Sequence, residues 1–474
     1  MVALTSIEFE SVDADLFDEN GRPVSGSGEK HRGQVRMAYR LAAAYRDRLL
    51  HVHGIGWFAW TGKRWERDER RHARRAVLDV LRDALGESLE DQTLRADVAR
   101  CESDNGIEGV LGVASSLVEF AATVGDLDAD PHLLNVANGT LDLRTMQLRA
   151  HDPADRLTKV TRGGYVPSVG RAVWMDFLTT VLPDEEVRGY VQRLAGQALH
   201  GRVGEHLFPV WTGTGANGKG TAYGAINFAL GDYAISIDPD LLLQRDRGAH
   251  PTGLMDLRGV RWAVASETND GRKLDEALMK RLTGGDPIRA RYMHRDFVEF
   301  EPQHQLVYVT NHLPGVRGDD PATWRRVRVV PFDVVVPPDQ RDPGLPERLQ
   351  LEADAVLTWA VEGYLDYAAG GMAEPAAVMA RTDAYRQESD DVARFITERC
   401  HLSPAASTGA RELYAAWQRW AQTEGAEPMS EKAFGKEIDR LGYEKKRTGA
   451  GIRRVGLMLL AEDEDGGVQG DEGF

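Results

Sequence analysis

The stretch Val210-Trp211-Thr212-Gly213-Thr214-Gly215-Ala216-Asn217-Gly218-Lys219-Gly220-Thr221 constrains this chain more than any other. The apolar run Leu207 to Trp211 predicts a short buried strand. The glycines predict a loop, and the run from about Thr221 to Leu230 predicts a helix stopped by Gly231. Strand, glycine-rich loop and helix in that order make a phosphate cradle. Glycines let consecutive backbone N–H groups converge on phosphate oxygens where a side chain would intrude. The helix adds the positive end of its dipole, and Lys219 reaches the β- and γ-phosphates as a mobile point charge. Gly213, Thr214, Gly215, Ala216, Asn217, Gly218, Lys219, Gly220 and Thr221 are therefore expected to bind a nucleotide. The Ser or Thr that usually follows the lysine is Gly220 here, so a Mg²⁺ role falls to Thr221, directly or through water.

Three further strands are read downstream. Arg258 to Glu267 ends in a carboxylate. In P-loop ATPases an acid at that place binds Mg²⁺ or polarises the attacking water; Glu267 is the candidate for the second role. Many such motors carry two adjacent acids there, but Ser266 takes the other place, which leaves the metal ligand open between Thr221 and Glu267. Leu306 to Asn311 ends in an amide, which can orient water against the γ-phosphate or simply cap the turn at Leu313-Pro314. Trp324-Arg325-Arg326 precede a strand from Val327 to Phe332. An arginine there can act in trans on a neighbour's nucleotide, because its fixed fork matches phosphate oxygens.

The formal charge is −16, from 58 Lys and Arg against 74 Asp and Glu, which argues against coating nucleic acid with the whole surface. DNA contacts must then come from clusters. Ile288 to Phe300 alternates and carries basic residues among aromatics, as in a hairpin with Met293-His294-Arg295 near its tip. Arg291, His294 and Arg295 could grip phosphates there, and Tyr292 could stack a base. Near the end, Thr408 is read as the cap of a helix with Leu413, Tyr414, Trp417, Trp420 and Ala421 on one face. Ser430 starts another, with Phe434, Ile438 and Leu441 inward. A hairpin from Tyr443 to Leu459 follows, with Lys445, Lys446, Arg447, Arg453 and Arg454 crowding its tip. Helix, helix, basic hairpin is a winged-helix pattern, with Lys445, Lys446 and Arg447 as DNA candidates. The Arg-rich run Arg70 to Leu85 is better read as a solvated helix face. Asp126, Asp128 and Asp130 alternate as metal-binding acids can, but a plain loop is preferred.

Cys101 and Cys400 lie in no paired-cysteine motif, which excludes a zinc ribbon. No apolar run approaches the roughly 18 residues of a membrane span. A soluble, cytoplasmic protein without a membrane partner is expected. Hairpins are read at Gly56–Trp65, turning at Thr61-Gly62, and at Asn135–Leu143, turning at Asn138-Gly139.

Taken in order, Gly213 to Thr221, Ser266-Glu267, Lys280-Arg281-Leu282-Thr283-Gly284-Gly285-Asp286, Thr310-Asn311 and Arg325-Arg326 before Pro331-Phe332 resemble the superfamily 3 helicase domain of the phage/plasmid primase-helicase family, with poxvirus-type relatives. Leu133-Leu134-Asn135 to Leu143 and Leu194-Ala195-Gly196 resemble the domain that precedes that helicase. The resemblance implies an AAA+-like ATPase that forms a hexameric ring and moves along single-stranded or forked DNA in a bacterial host. It implies that the nucleotide on Gly213 to Thr221 is ATP, that Glu267 serves hydrolysis, that Asn311 senses the γ-phosphate and that Arg326, or else Arg325, is the finger from the adjacent subunit.

The expected fold is α/β. A flexible segment (1–34) and a mostly helical N-terminal domain (35–200) precede an AAA+-like P-loop core (201–340). A helical extension and linker (341–374), a winged-helix domain (375–460) and an acidic tail (461–474) follow. The family often carries a primase-polymerase domain at its N-terminus. Too little chain precedes residue 40 to fold one, so primer synthesis by this chain alone is not expected, and a separate primase or polymerase is a candidate partner. A replication initiator or loader that does not unwind DNA, and a P-loop phosphotransferase, are the rival readings.

Overall fold

The computed structural model describes residues 30–244, 251–266, 273–291, 293, 297–316, 320–426, 428–449 and 451–460. Glu267, Tyr292, His294 and Arg295 lie outside the described residues, as do most of the N-terminal segment and the acidic tail.

The centre of the molecule is a five-stranded sheet: β1 (Phe208–Thr212), β2 (Ala234–Ile237), β3 (Trp262–Ser266), β4 (Gln305–Val309) and β5 (Val327–Pro331), ordered β5-β1-β4-β3-β2. Every neighbouring pair is parallel. A parallel sheet is covered on both faces, which is why these strands read as continuous apolar runs. Trp211, Trp262, Val264, Val307, Val309 and Val330 pack on one side with the P-loop helix, Lys219–Leu230, and with helices Glu185–Leu199 and Ala353–Gly370. Val210, Ala263, Ala265, Leu306, Tyr308 and Val329 pack on the other, with helix Glu276–Leu282. Residues one apart thus enter different cores, as the two-residue period of a strand requires.

Upstream, helix Gly33–Tyr45 packs on helices His72–Glu87, Gln92–Cys101 and Asp104–Ala114. Two small sheets accompany them. The predicted hairpin at 56–65 pairs Gly56–Trp60 with Trp65–Arg67. The second pairs Leu133–Val136 with Gly139–Asp142 and closes at Val136 and Gly139, so its loop is Ala137-Asn138, one residue earlier than expected. The acids that alternate before it all have local tasks. Asp126 accepts from the Thr123 N–H and hydroxyl, Asp128 from the Thr158 N–H and hydroxyl, and Asp130 pairs with Arg144 at 2.8 Å.

Arg261, at the foot of β3, is 1% exposed. Its guanidinium lies 4.7 Å from the centre of the Tyr233 ring and donates to the carbonyls of Leu133, at 2.6 Å, and Leu199. One side chain therefore ties the sheet to both the upstream hairpin and the helix before β1.

The C-terminal unit holds helices Asp391–Arg399, Ala410–Glu424 and Glu431–Arg440 around Phe395, Leu413, Trp417, Trp420, Phe434 and Ile438. Its three-stranded sheet runs Cys400–Gly409, Gly451–Leu459, Lys445–Thr448. Thr408 does not cap a helix: it lies in the first of these strands and donates to Leu457 O at 2.8 Å. Ser430 does cap, accepting from the Ala433 N–H at 3.2 Å. Among the described residues no helix is long and apolar enough to cross a membrane.

Candidate nucleotide site

Because the sheet is parallel, the C-terminal ends of β1, β3, β4 and β5 share one edge. Gly213, Asn311 and Phe332 therefore meet at the mouth of the loop that follows β1. Two glycines are required by that approach. A Cβ on Gly213 would lie 2.3 Å from Phe332 O. Gly218 has φ +80, and a Cβ there would lie 2.5 Å from Val181 Cγ1. Asn217 is 3% exposed and donates to Phe332 O at 2.9 Å, pinning the loop to the end of β5. Val336 N–H donates to Ala216 O at 2.9 Å and holds it from the other side.

Lys219 opens the helix and is 5% exposed. Its ammonium donates to Gly213 O at 2.9 Å, to Asn217 Oδ1 at 3.1 Å and to Asn311 Oδ1 at 3.1 Å. All three acceptors are neutral. Among the described residues no carboxylate pairs with it, and burial pushes its pKa below the ordinary lysine value. A desolvated cation held only by neutral oxygens would be stabilised by an incoming anion. Thr221 stands half-buried in the first helical turn. Beside it opens a cleft of about 600 Å³, walled by Phe177, Val181, Ala216, Gly218, Thr221 and Val336. Phe177 and Val181 are additions to the expected set: they belong to helix Ala172–Val181 of the preceding unit, and nothing local to the loop points to them.

Arg325 and Arg326 lie elsewhere. They precede β5, so they sit at the opposite edge of the sheet from Lys219, roughly 15 Å away at a strand's usual rise. Arg325 is exposed. Arg326 is 6% exposed and donates to Ala322 O at 2.7 Å. Burial first, and Arg325 second, lower its pKa.

Arg291 is exposed near the end of the predicted hairpin, in which Ile288–Ala290 pairs with Val298–Phe300. Arg291 and Arg289 both face the Phe297 ring, at 4.7 and 5.0 Å, and Phe297 is 44% exposed. Arg289 and Phe297 also join the set only with the structure in hand. In the C-terminal hairpin, Lys445, Lys446 and Arg447 are exposed. Arg453 and Arg454 stand opposite Lys446 and Lys445 in the strand register, but unlike those lysines they are not exposed. Arg454 is 5% exposed and donates to Asp439, Tyr443 O and Gly435 O, because the central strand of a three-stranded sheet turns one face onto helix Glu431–Arg440. Arg453 is held by Ser407.

Two family descriptions match the chain on either side of the P-loop core: "D5 N terminal like" over residues 38–183 and "Poxvirus D5 protein-like" over residues 387–455. The resemblance is to the poxvirus D5 type. The D5-like chain is 30% identical over 230 residues to "Putative helicase L207/L206" of Acanthamoeba polyphaga mimivirus, covering 47% of this chain and 24% of that protein. It is 30% identical over 269 residues to "Putative helicase 022R" of Frog virus 3 (isolate Goorha), covering 52% and 27%. It is 26% identical over 346 residues to "Putative primase C962R" of African swine fever virus (strain Badajoz 1971 Vero-adapted), covering 67% and 36%. The chain thus spans about a quarter to a third of the length of these relatives. Among solved structures it is similar to the apo NrS-1 C terminal region, with a TM-score of 0.47 and 10% identity, covering 86% of this chain and 96% of that one.

Proposed function

We propose that the D5-like chain is an ATP-driven DNA helicase of the superfamily 3, AAA+-like type, acting in DNA replication as a ring of identical subunits. The observation that carries this is the buried Lys219 ammonium, met only by neutral oxygens among the described residues and facing Asn311. Relatives whose names read helicase and primase support it.

In this reading the triphosphate lies on the loop from Gly213 to Thr221, and Lys219 shifts from its neutral oxygens to phosphate. The cleft against Phe177 and Val181 gives room for base and sugar. Thr221 and Glu267 would hold Mg²⁺, which neutralises phosphate charge when bound. Asn311 orients the attacking water, and Glu267 polarises it. The missing positive charge comes from a neighbour. Arg325 and Arg326 face away from their own nucleotide, and the exposed Arg325 is the one a second subunit can reach without rearrangement. Arg291 with Arg289, and the wing residues Lys445, Lys446 and Arg447, are the DNA contacts; His294 and Arg295 belong to the same reading.

Strand displacement on forked DNA tests the proposal. Wild type should unwind, and Lys219→Ala and Arg325→Ala should not. Mixed rings of wild type and Arg325→Ala should lose more activity than the fraction of variant added. Strictly additive activities in shared rings would remove the trans assignment. DNA binding and ring formation without displacement would favour a loader.

A further inference from the structure

Asn311 touches Lys219, and three residues later the same loop meets a different part of the molecule. Pro314 O accepts a hydrogen bond from the Tyr385 hydroxyl. Tyr385 is 5% exposed and lies on helix Ala376–Glu388, between the P-loop core and the C-terminal unit. Its ring packs edge-on against Trp324, at 5.1 Å between centres. Trp324 directly precedes Arg325. One side chain therefore joins the loop beside the candidate γ-phosphate position to the turn that presents the exposed arginine.

The helix that carries Tyr385 is anchored to β5 from its start to its middle, and its far end leads into the C-terminal unit. Thr382 Oγ1 accepts from Val329 N–H of β5 at 2.9 Å, and Arg328 pairs with Glu374 at 2.5 Å. At the far end, Asp390 caps helix Asp391–Arg399 and pairs with Arg440 of helix Glu431–Arg440. Between the loop and that unit lies an open cleft of about 580 Å³, with Pro314 and Val316 on one wall and Asp390, Arg394 and Met429 on the other. The loop and the C-terminal unit are thus joined through Tyr385 across a space that leaves both room to shift.

We propose that Tyr385 is a positioning residue that transmits the state of the Asn311 loop to the C-terminal unit, so that nucleotide at Lys219 and DNA on the basic hairpin set each other's affinity. The proposal rests on the reading of Lys219 and Asn311 as a nucleotide site. It gives the chain a bistable joint that both ligands bias, and such coupling is reciprocal by linkage.

Tyr385→Phe keeps the ring on Trp324 and removes only the hydroxyl, so it tests the joint with little risk to the fold. Labels at Ser236→Cys on β2 and Gln422→Cys in the C-terminal unit report the distance between the two; both positions are exposed, and the native Cys101 and Cys400 are buried. Binding of a non-hydrolysable ATP analogue is measured by calorimetry on the same samples, with and without forked DNA. In the wild-type background the analogue should change the label distance, and DNA should tighten the analogue by roughly 5-fold or more. In Tyr385→Phe the analogue should bind alone as before, the distance should stay put, and the effect of DNA should fall toward none. Equal shifts in both proteins, or analogue binding in wild type without any shift, would overturn the proposal. Failure of the analogue to bind wild type at all would overturn the nucleotide reading beneath it, a separate and recognisable result.

Discussion

The Lys219 ammonium and the Asn311 side-chain oxygen meet at 3.1 Å, across the seam between β1 and β4. These residues are 92 positions apart and are joined only because β4 lies beside β1. Their tasks should separate in kinetics. Lys219→Ala should weaken nucleotide binding roughly 10- to 100-fold, the range for losing a charge-assisted hydrogen bond. Asn311→Ala should leave binding within about threefold and slow turnover on the order of 10²-fold, as for a donor that acts on the reacting water. Calorimetry and phosphate release measure the two; equal effects on both would mean that Asn311 serves only to hold the lysine.

Gly218→Ala should destabilise the protein by about 1–3 kcal/mol even without nucleotide. Its φ is +80, and the new methyl would press on Val181. Urea denaturation reads this directly. Gly220→Ala, with nothing within 4 Å of its Cβ, is the control and should be near neutral.

The basic residues of the C-terminal hairpin should divide by burial. Alanine at Lys445, Lys446 and Arg447 together should weaken DNA binding on all sequences and flatten the salt dependence, by up to about one unit of slope for each phosphate no longer neutralised. Arg454→Ala should instead loosen the C-terminal unit, since its guanidinium is spent on Asp439, Tyr443 O and Gly435 O. Binding titrations at several salt concentrations, beside thermal melts, distinguish the two outcomes.

Arg261→Met should cost about 2–4 kcal/mol, leaving two buried carbonyls, Leu133 O and Leu199 O, without their charged donor. Hydrogen exchange should rise first in the hairpin Leu133–Asp142, which would lose its tie to β3. Uniform exchange across the chain would argue against that local role.

Asp320 supplies a pH-dependent term. Burial alone would raise its pKa, but hydrogen bonds from Lys280, the Ala322 N–H and Thr323 bring it down to about 2. A folded pKa below the unfolded one means the stabilisation is full above about pH 4 and is lost as pH falls toward 2. Asp320→Asn should therefore lower stability at neutral pH and shrink the difference from wild type in acid. Denaturation midpoints at pH 7 and near pH 3 check the sign.

Much of the central sheet was legible because a strand buried on both faces has little choice but to be apolar. β1, β3, β4 and β5 each stand within a few residues of their predicted ranges. β2 was not read: Ala-Ile-Ser-Ile is four residues long, lies at the sheet edge and buries only Ile237 fully. The strand Cys400–Gly409 was missed for a related reason. It contains Ser403, Pro404 and Ser407, which suit a loop, and an edge position with a register shift between Leu402 and Ser407 tolerates them. For the candidate site, residue types along the loop pointed to phosphate, but the Phe177 and Val181 wall depends on long-range packing that no local pattern encodes. The inward turn of Arg454 was hidden in the same way, since Arg453 and Arg454 are chemically alike and only the sheet face tells them apart.

The desolvated ammonium of Lys219 has a practical consequence. Any small oxyanion that enters the loop relieves the same electrostatic cost that a nucleotide would. Sulfate or inorganic phosphate in a buffer should therefore raise the melting temperature by mass action and compete for the loop. Nucleotide affinities determined in such buffers will read weaker than those determined in chloride.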